Sequence, residues 1–309
     1  MKRYKILLFE EPFEKGMKIL GKNKDKVEFK LVESFDEDYL LNEVKDVDAI
    51  IIRVKGKITR NLIKHASKLK VIGRPGVGVN NIDIKAATDY NVKVVNTPDA
   101  NYESVAEMTI TLMLAIAIRK VNWDDRYNCI GVELLGKTLG VIGFGKIGRR
   151  VAEIANLAFH MPILYYDIVK YESFESQYNA RKTSIEEVLR NSDFVSIHMP
   201  YLPEVHHLIG EKEINIMRKS AYLINTSRGP LWDEEALYNT LKNRKIAGAA
   251  TDVFEEEPPK EGTKLRELDN VILSPHTAAF TKEALDRMGM VVEDVIAVLE
   301  GKTPKYPVN

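Results

Sequence analysis

Short apolar runs alternate with stretches of helical periodicity from the start of the chain. Runs at residues 5–9, 27–32, 49–52, 71–73 and 93–95 are short and rich in branched aliphatics, and they predict buried strands. Between them, residues 12–20, 37–44, 61–66 and 84–88 recur at helical spacing and predict helices. This alternation predicts a parallel sheet covered by helices on both faces, because successive parallel strands need a crossover between them. The cluster Asn96-Thr97-Pro98-Asp99 is a turn and marks a boundary. A long helix over residues 101–120 is expected next. Its segment Met108 to Ile118 is apolar on nearly all sides, which predicts a buried helix.

The following unit adds chemistry to the pattern. An apolar run at 139–142 leads into Gly143, Gly145 and Gly148 in G-x-G-x-x-G spacing. Ile147, Val151, Ile154, Ala155 and Ala158 then recur at helical spacing, and a second apolar run at 163–166 ends in Asp167. Strand, glycine turn, helix, strand and acid in this order are what a dinucleotide site requires. Gly143 permits the tight turn, Gly145 lets backbone approach a pyrophosphate, and Gly148 lets the helix pack close to the strand. Phe144, Lys146 and Ile147 complete the loop and helix start, whose N–H groups and positive dipole end suit phosphates. Asp167 can accept from both ribose hydroxyls and would repel the 2′-phosphate of NADP. Ile168 and Val169 follow it, with no Arg to receive that phosphate, so the expected cofactor is NAD.

Beyond Asp167 the alternation resumes. Residues 184–190 predict a helix, with Ser184 and Glu187 able to form a capping box. Strands are expected at 194–198, 221–225, 246–252 and 271–274. A long amphipathic helix at 283–300 follows the last strand, cannot extend that sheet, and is expected to pack back on the first domain. The expected fold class is α/β, with two doubly wound, Rossmann-like parallel-sheet domains and an active-site cleft between them. Residues 1–98 plus 282–309 would form a discontinuous, flavodoxin-like substrate domain, and residues 99–281 the NAD-binding domain. Because the chain would cross between domains twice, hinges are expected near residues 96–99 and near Phe280.

Composition narrows the class. The 309 residues are 45% apolar and 29% charged, as in ordinary globular proteins, and allow two cores. The 45 basic and 45 acidic residues cancel, which argues against a broad nucleic-acid surface. Cys129 has no second cysteine to pair with; it fits a reducing cytosol and reads as a small buried apolar residue. The start MKRYKILLFE reads as a first strand rather than a signal peptide. Met108 to Ile118 falls short of the roughly 18 residues that a membrane span needs. The expectation is a cytoplasmic protein with a small-molecule substrate and without nucleic acid, membrane or metal.

Ligands of open parallel sheets bind beyond the carboxyl ends of the strands. His198 and Pro200 follow one predicted strand, Arg228 follows the next in INTSRG, Asp252 and Glu257 follow another in TDVFEEEP, and His276 follows the last in LSPHTA. An Arg, a carboxylate and a His therefore share an edge with the dinucleotide. Oxidation of a hydroxy acid by a nicotinamide needs such a set. A base must take the hydroxyl proton, and His276 is the candidate because imidazole is poised near neutral pH. Glu257 can orient that imidazole and stabilise its protonated form. Arg228 can hold the substrate carboxylate and polarise the developing carbonyl through its planar fork.

Here the sequence resembles the D-isomer-specific 2-hydroxyacid dehydrogenase family over nearly its whole length. The motifs RPGVGVNNID, NTPDANYESVAE, GFGKIGRR, HMP, NTSRG, TDVFEEEP and SPHTAA follow in the family order. The resemblance implies Arg228, Glu257 and His276 as the catalytic set. It implies that backbone N–H groups around Val77 and Gly78 receive the substrate carboxylate, with Arg53, Val54 and Asn101 on the substrate side. It implies that Thr226 and Asp252 lie near the nicotinamide, with Ser227 beside them, and that the protein is a homodimer built largely on the cofactor domain. Four positions depart from the family's usual residues: Val54 replaces Ser, His160 replaces Gly, Val205 replaces Thr, and Trp232 replaces a small aliphatic and would narrow the cleft. Among members the chain is most similar to the phosphoglycerate dehydrogenases of serine biosynthesis, with no appended regulatory domain expected. Arg53, Lys55, Lys57 and Arg74 supply positive charge that suits a phosphorylated acid. Glyoxylate, hydroxypyruvate or D-lactate are the alternative substrates. A non-catalytic NAD-binding regulator, like the corepressors that resemble this family, would not need the intact Arg, Glu and His. A Rossmann methyltransferase would leave them without a role.

Overall fold

The computed structural model describes residues 3–118, 123, 130–259 and 263–309. Cys129 and the last two residues of the expected helix 101–120 lie outside the described residues. The chain divides into two compact units, Met1–Asn101 with Phe280–Asn309, and Tyr102–Ala279.

The first unit begins with β1 (Tyr4–Leu8), α1 (Phe13–Lys22), β2 (Val27–Leu31), α2 (Glu37–Glu43), β3 (Ala49–Ile51), α3 (Arg60–His65), β4 (Val71–Arg74), α4 (Ile84–Asp89) and β5 (Lys93–Asn96). Its five parallel strands are ordered β2-β1-β3-β4-β5. Side chains alternate across this sheet as the strand period of two demands. Leu7, Ile50, Ile72 and Val94 face α2, α3 and α4. Ile6, Leu8, Ala49, Ile51 and Val71 face the other way, onto α1 and the C-terminal segment.

The second unit holds α5 (Tyr102–Ile118), β6 (Leu139–Ile142), α6 (Lys146–Phe159), β7 (Ile163–Tyr166), α7 (Glu172–Tyr178), β8 (Ala180–Lys182), α8 (Ile185–Asn191), β9 (Phe194–Ile197), α9 (Glu211–Asn215), β10 (Tyr222–Asn225), α10 (Glu234–Lys242), β11 (Gly248–Thr251) and β12 (Val271–Leu273). Its seven parallel strands are ordered β12-β11-β10-β9-β6-β7-β8, so the order reverses between β6 and β9. Crevices at such reversals are where doubly wound sheets bind ligands. α5 and α6 cover one face and α8, α9 and α10 the other. β8 and α7 escape hydrophobic pattern because they have little of it: no residue of α7 is buried, and only Ala180 of β8 is.

The chain then returns to the first unit as α11 (Lys282–Gly289) and α12 (Val291–Leu299). The single helix expected over 283–300 is therefore two, broken at Met290. The sequence pattern is blind to the break because Met290 itself keeps right-handed helical dihedrals. What decides it is tertiary packing: a Cβ at Gly289 would lie 2.6 Å from the Gly16 amide nitrogen, so α11 ends against the backbone of α1. α12 supplies Val291, Val292, Val295 and Leu299 to the second face of the sheet. That face would otherwise expose a continuous aliphatic surface, which explains why the unit is discontinuous in sequence. Residues 306–309 cap the outer edge of β5, where Pro307 bridges Val95 and Val308 donates to the Val94 carbonyl at 2.8 Å. Half of the expected capping box forms. Ser184 accepts from the Glu187 amide, but the Glu187 carboxylate turns to Arg181 and Thr183 instead.

Candidate active site

The glycine loop occupies the turn between β6 and α6. Gly143 has φ +92°, and a Cβ there would lie 2.7 Å from His198 and Met199 backbone atoms at the end of β9. Gly148 must lack a side chain because a Cβ would lie 2.3 Å from the Gly143 carbonyl. Gly145 differs: nothing lies within 4 Å of its would-be Cβ. The chain leaves this space open at the N-terminus of α6, a helix whose first-turn amides and dipole suit a pyrophosphate, and in this respect the residues fit NAD. Lys146 is exposed and Ile147 half-buried at that end. The Phe144 side chain is fully buried and stacks on Tyr165 with ring centroids 3.9 Å apart, so only its backbone is at the loop surface.

Asp167 stands at the end of β7, where its Oδ2 accepts from the Phe144 amide at 2.6 Å and Oδ1 from the Val169 amide at 2.9 Å. It therefore ties the glycine loop to β7 as well as presenting a carboxylate. Arg149 braces the same loop, donating to the Phe144 carbonyl at 3.0 Å with its guanidinium 4.3 Å from the Tyr171 ring centre.

His198 follows β9. Its Nε2 meets Ser196 Oγ at 2.8 Å, while Nδ1 is buried without a partner among the described residues. Burial pushes this imidazole down to about 3, which makes it neutral at working pH. Pro200 is exposed two residues on.

After β10, Asn225 organises the next turn. Its side chain donates to the Arg228 carbonyl at 2.9 Å and accepts from the Ser227 amide at 3.0 Å. Thr226 Oγ1 lies 2.9 Å from Thr109 Oγ1, and Ser227 donates to the Met199 carbonyl. Arg228 is thereby held with its Nη1 2.7 Å from the Ser227 carbonyl. Burial pulls its guanidinium below the usual value, and the charge of Glu257 opposes this. Gly229 packs directly on the next loop, since a Cβ there would lie 1.9 Å from the Phe254 carbonyl carbon. Only glycine lets the Arg228 turn meet the loop that carries Glu257.

The Glu257 carboxylate is divided between two partners. Oε1 accepts from the Phe254 amide at 3.0 Å, and Oε2 lies 2.5 Å from His276 Nδ1. Burial opposes its charge, but the bonds from His276 and Phe254 and the charges of His276 and Arg228 together hold the carboxyl below its ordinary range. His276 itself is in the left-handed region, at φ +53°. Asp252 holds it there. Fully buried, Asp252 accepts from Ser274 Oγ at 2.6 Å and from the Thr277 and Ala278 amides at 2.8 Å each. Its carboxylate is thus spent on the His276 loop, a role its place in TDVFEEEP did not reveal.

Arg228, Glu257 and His276 therefore follow the ends of β10, β11 and β12, on the same edge of the sheet as the glycine loop, and Glu257 and His276 are in contact. Comparison with known proteins gives the family. The model of the D-isomer specific 2-hydroxyacid dehydrogenase NAD-binding domain matches residues 110–278. D-3-phosphoglycerate dehydrogenase of Methanocaldococcus jannaschii is 44% identical over 99% of this chain, and the chain spans 59% of that relative's length. The chain belongs to the D-isomer specific 2-hydroxyacid dehydrogenases. Glyoxylate reductase of Aeropyrum pernix is 38% identical over 100% of this chain and 97% of its own length. The solved D-lactate dehydrogenase of Aquifex aeolicus, in complex with NAD and lactic acid, superposes with a TM-score of 0.83 at 32% identity, covering 96% of both chains. The family is one of NAD-binding oxidoreductases, and no described helix here is long and apolar enough to cross a membrane.

Three of the departures from the family pattern acquire physical meaning. His160 ends α6 at φ +51°, a left-handed cap that explains why glycine is usual there. Trp232 does not narrow a cleft: it is fully buried in the core beneath β9 and β10. Val205 packs on the same core. The fourth, Val54, is 70% exposed after β3.

The substrate-side residues expected in the first unit follow its strands. After β3, Arg53 is not a spare cation; its guanidinium lies 3.9 Å from the Phe13 ring centre and its Nη1 reaches the Glu11 carbonyl at 3.4 Å. The Val54 and Lys55 amides donate to Glu10 Oε2 at 2.6 and 2.7 Å, so that loop already holds a carboxylate. Arg74, at the end of β4, turns back to the Pro75 carbonyl. The Val77 and Gly78 amides make no hydrogen bond among the described residues. Asn101 is the last residue of the unit's first segment.

Proposed function

We propose that the protein interconverts a D-2-hydroxy acid and its 2-keto acid, with Arg228, Glu257 and His276 as the catalytic set. The contact of His276 Nδ1 with Glu257 Oε2 at 2.5 Å carries this reading. It leaves Nε2 of the same ring for the substrate hydroxyl, in the geometry of a general base oriented by a carboxylate. NAD held by Gly143, Gly145, Gly148 and Asp167, and flanked by His198, Pro200, Thr226 and Ser227, supplies the hydride acceptor. Arg228, preorganised by its turn, would hold the substrate carboxylate and stabilise the oxygen that gains charge. His276→Ala is expected to lower kcat by about 10²- to 10⁴-fold while NADH binding, followed by fluorescence, persists. Near-wild-type kcat in that variant would refute the assignment.

For substrate, D-3-phosphoglycerate is the first reading, supported by the 44% identical relative and by Arg53, Lys55, Lys57 and Arg74. A specific observation favours a second, a small keto acid such as glyoxylate or hydroxypyruvate. Glu10 already occupies the Val54–Lys55 amides, and Arg53 is engaged by Phe13, so this loop is less hospitable to a phosphate than its charges suggest. The ratio of kcat/KM for phosphohydroxypyruvate to that for hydroxypyruvate, in wild type and Arg53→Ala, separates the two. We further propose a homodimer through the second unit, where Ile118, Ile130, Leu135 and Leu157 are each at least 60% exposed. Exposed large aliphatics mark a partner surface where they join into one contiguous apolar patch. Sedimentation at micromolar concentration tests it.

A further inference from the structure

The loop that carries Glu257 is fastened at its middle by a second carboxylate that the proposed reaction does not use. Glu255 and Glu234, at the first residue of α10, bond reciprocally. Glu255 Oε1 accepts from the Glu234 amide at 3.0 Å, and Glu234 Oε1 accepts from the Glu255 amide at 2.9 Å. His207 bridges the same place, with Nε2 2.9 Å from Glu255 Oε1 and Nδ1 3.9 Å from Asp233 Oδ2. Asp233 in turn caps α10 through the Ala236 amide at 2.9 Å. The clasp thus ties the loop to a helix start whose own residues are rigidly placed, since α10 packs Leu237 and Leu241 into the core. Two residues beyond the clasp, Glu257 must put Oε2 against His276 while Oε1 stays on the Phe254 amide.

The arrangement gathers like charge at short range. Burial raises the Glu234 carboxyl, and the charges of Glu255 and Glu257 raise it further, so Glu234 lies within the field of the catalytic carboxylate. Two carboxylates that each accept from the other's backbone amide fix the loop to the start of α10 at two points.

We infer that the Glu234–Glu255 clasp, bridged by His207, is a positioning device for the Glu257–His276 pair. This rests on the catalytic set proposed above. Neither glutamate touches substrate; each acts through Glu257.

The test measures kcat, KM and NADH affinity in Glu255→Ala, Glu255→Gln and Glu234→Ala, each alone and in a Glu257→Ala background. A small displacement of a catalytic group costs up to about 10²-fold in rate. Glu255→Ala is therefore expected to lower kcat by roughly 5- to 50-fold with NADH affinity unchanged. Glu255→Gln retains the oxygen that accepts from the Glu234 amide and should restore most of the rate. In the Glu257→Ala background, Glu255→Ala should cause no further loss, because the group it positions is gone. Unchanged kcat in folded Glu255→Ala, or an equal fold-loss in both backgrounds, overturns the inference. Should Glu255→Ala fail to fold, Glu234→Ala opens the other half of the clasp and is read in the same way. If His276→Ala, run alongside, retains activity, the catalytic assignment itself falls and the device with it; if His276→Ala is inactive while the clasp variants are not, only the device falls.

Discussion

Asp252 is the residue whose replacement most directly probes how the site is built. It is fully buried and accepts three hydrogen bonds, from Ser274, Thr277 and Ala278, on either side of His276. His276 occupies the left-handed region at φ +53°, a conformation that costs a non-glycine residue about 1–2 kcal/mol. Bonds to a carboxylate contribute about 1.5–3 kcal/mol each, so the three together exceed the strain with margin. In Asp252→Asn the amide oxygen can keep two of the donors, Ser274 and Thr277. The NH2 group then faces the Ala278 N–H, which loses its acceptor. One lost charge-assisted bond and one buried unsatisfied amide should cost roughly 2–4 kcal/mol locally. Asp252→Ala leaves all three donors without the carboxylate and should cost more, roughly 3–6 kcal/mol, before any water enters. Because His276 is then free to leave its strained conformation, kcat should fall by up to about 10²-fold in Asp252→Asn. Amide hydrogen exchange at residues 274–278 reads the local opening, and steady-state turnover reads the consequence. Wild-type protection together with wild-type kcat in Asp252→Asn would refute the view that Asp252 holds His276 in place.

Three further outcomes are expected. Asp167→Ala should weaken NADH binding and relax discrimination against NADPH, measured as the ratio of kcat/KM values, and should also raise exchange at the Phe144 amide that Asp167 now accepts; an unchanged cofactor ratio would exclude Asp167 from ribose selection. Gly229→Ala puts a Cβ 1.9 Å from the Phe254 carbonyl carbon, so it should separate Arg228 from Glu257 and abolish turnover, and a crystal structure showing both loops unmoved with activity retained would contradict this. Glu257 is held below its ordinary value of 4.5, so its contribution to stability is present above that value and is lost as pH falls through the lowered one. Glu257→Gln should accordingly melt below wild type at neutral pH and converge with it in acid, and a pH-independent difference in Tm would be the contrary result.

The alternation of short apolar runs with helical periodicity was enough to determine the two parallel sheets and nearly every strand in them, because strands buried on both faces must be continuously apolar. The glycine spacing determined the turn between β6 and α6. The space beside Gly145 and the tight contacts at Gly143 and Gly148 follow from the distinct demands that such a turn makes at each glycine. Arg228, Glu257 and His276 were legible as strand-end residues, since the sheet's polarity dictates which edge they occupy. Periodicity could not register α7 and β8, whose side chains scarcely enter the core, nor the break at Met290, which depends on where α11 meets the backbone of α1. Trp232 looked like a residue of the cleft and lies in the core, because a side chain's direction after a turn depends on packing partners distant in sequence. The same reason conceals the support of the site. Asp252, His207 and the Glu234–Glu255 clasp reach partners that the chain brings near only once it is folded, and Glu10 meets the Val54 amide across 44 residues of sequence. Local sequence carries propensity and pattern; hydrogen-bond partners remote along the chain are chosen by the tertiary fold, which alone decides whether a charged side chain is free for a ligand or already engaged.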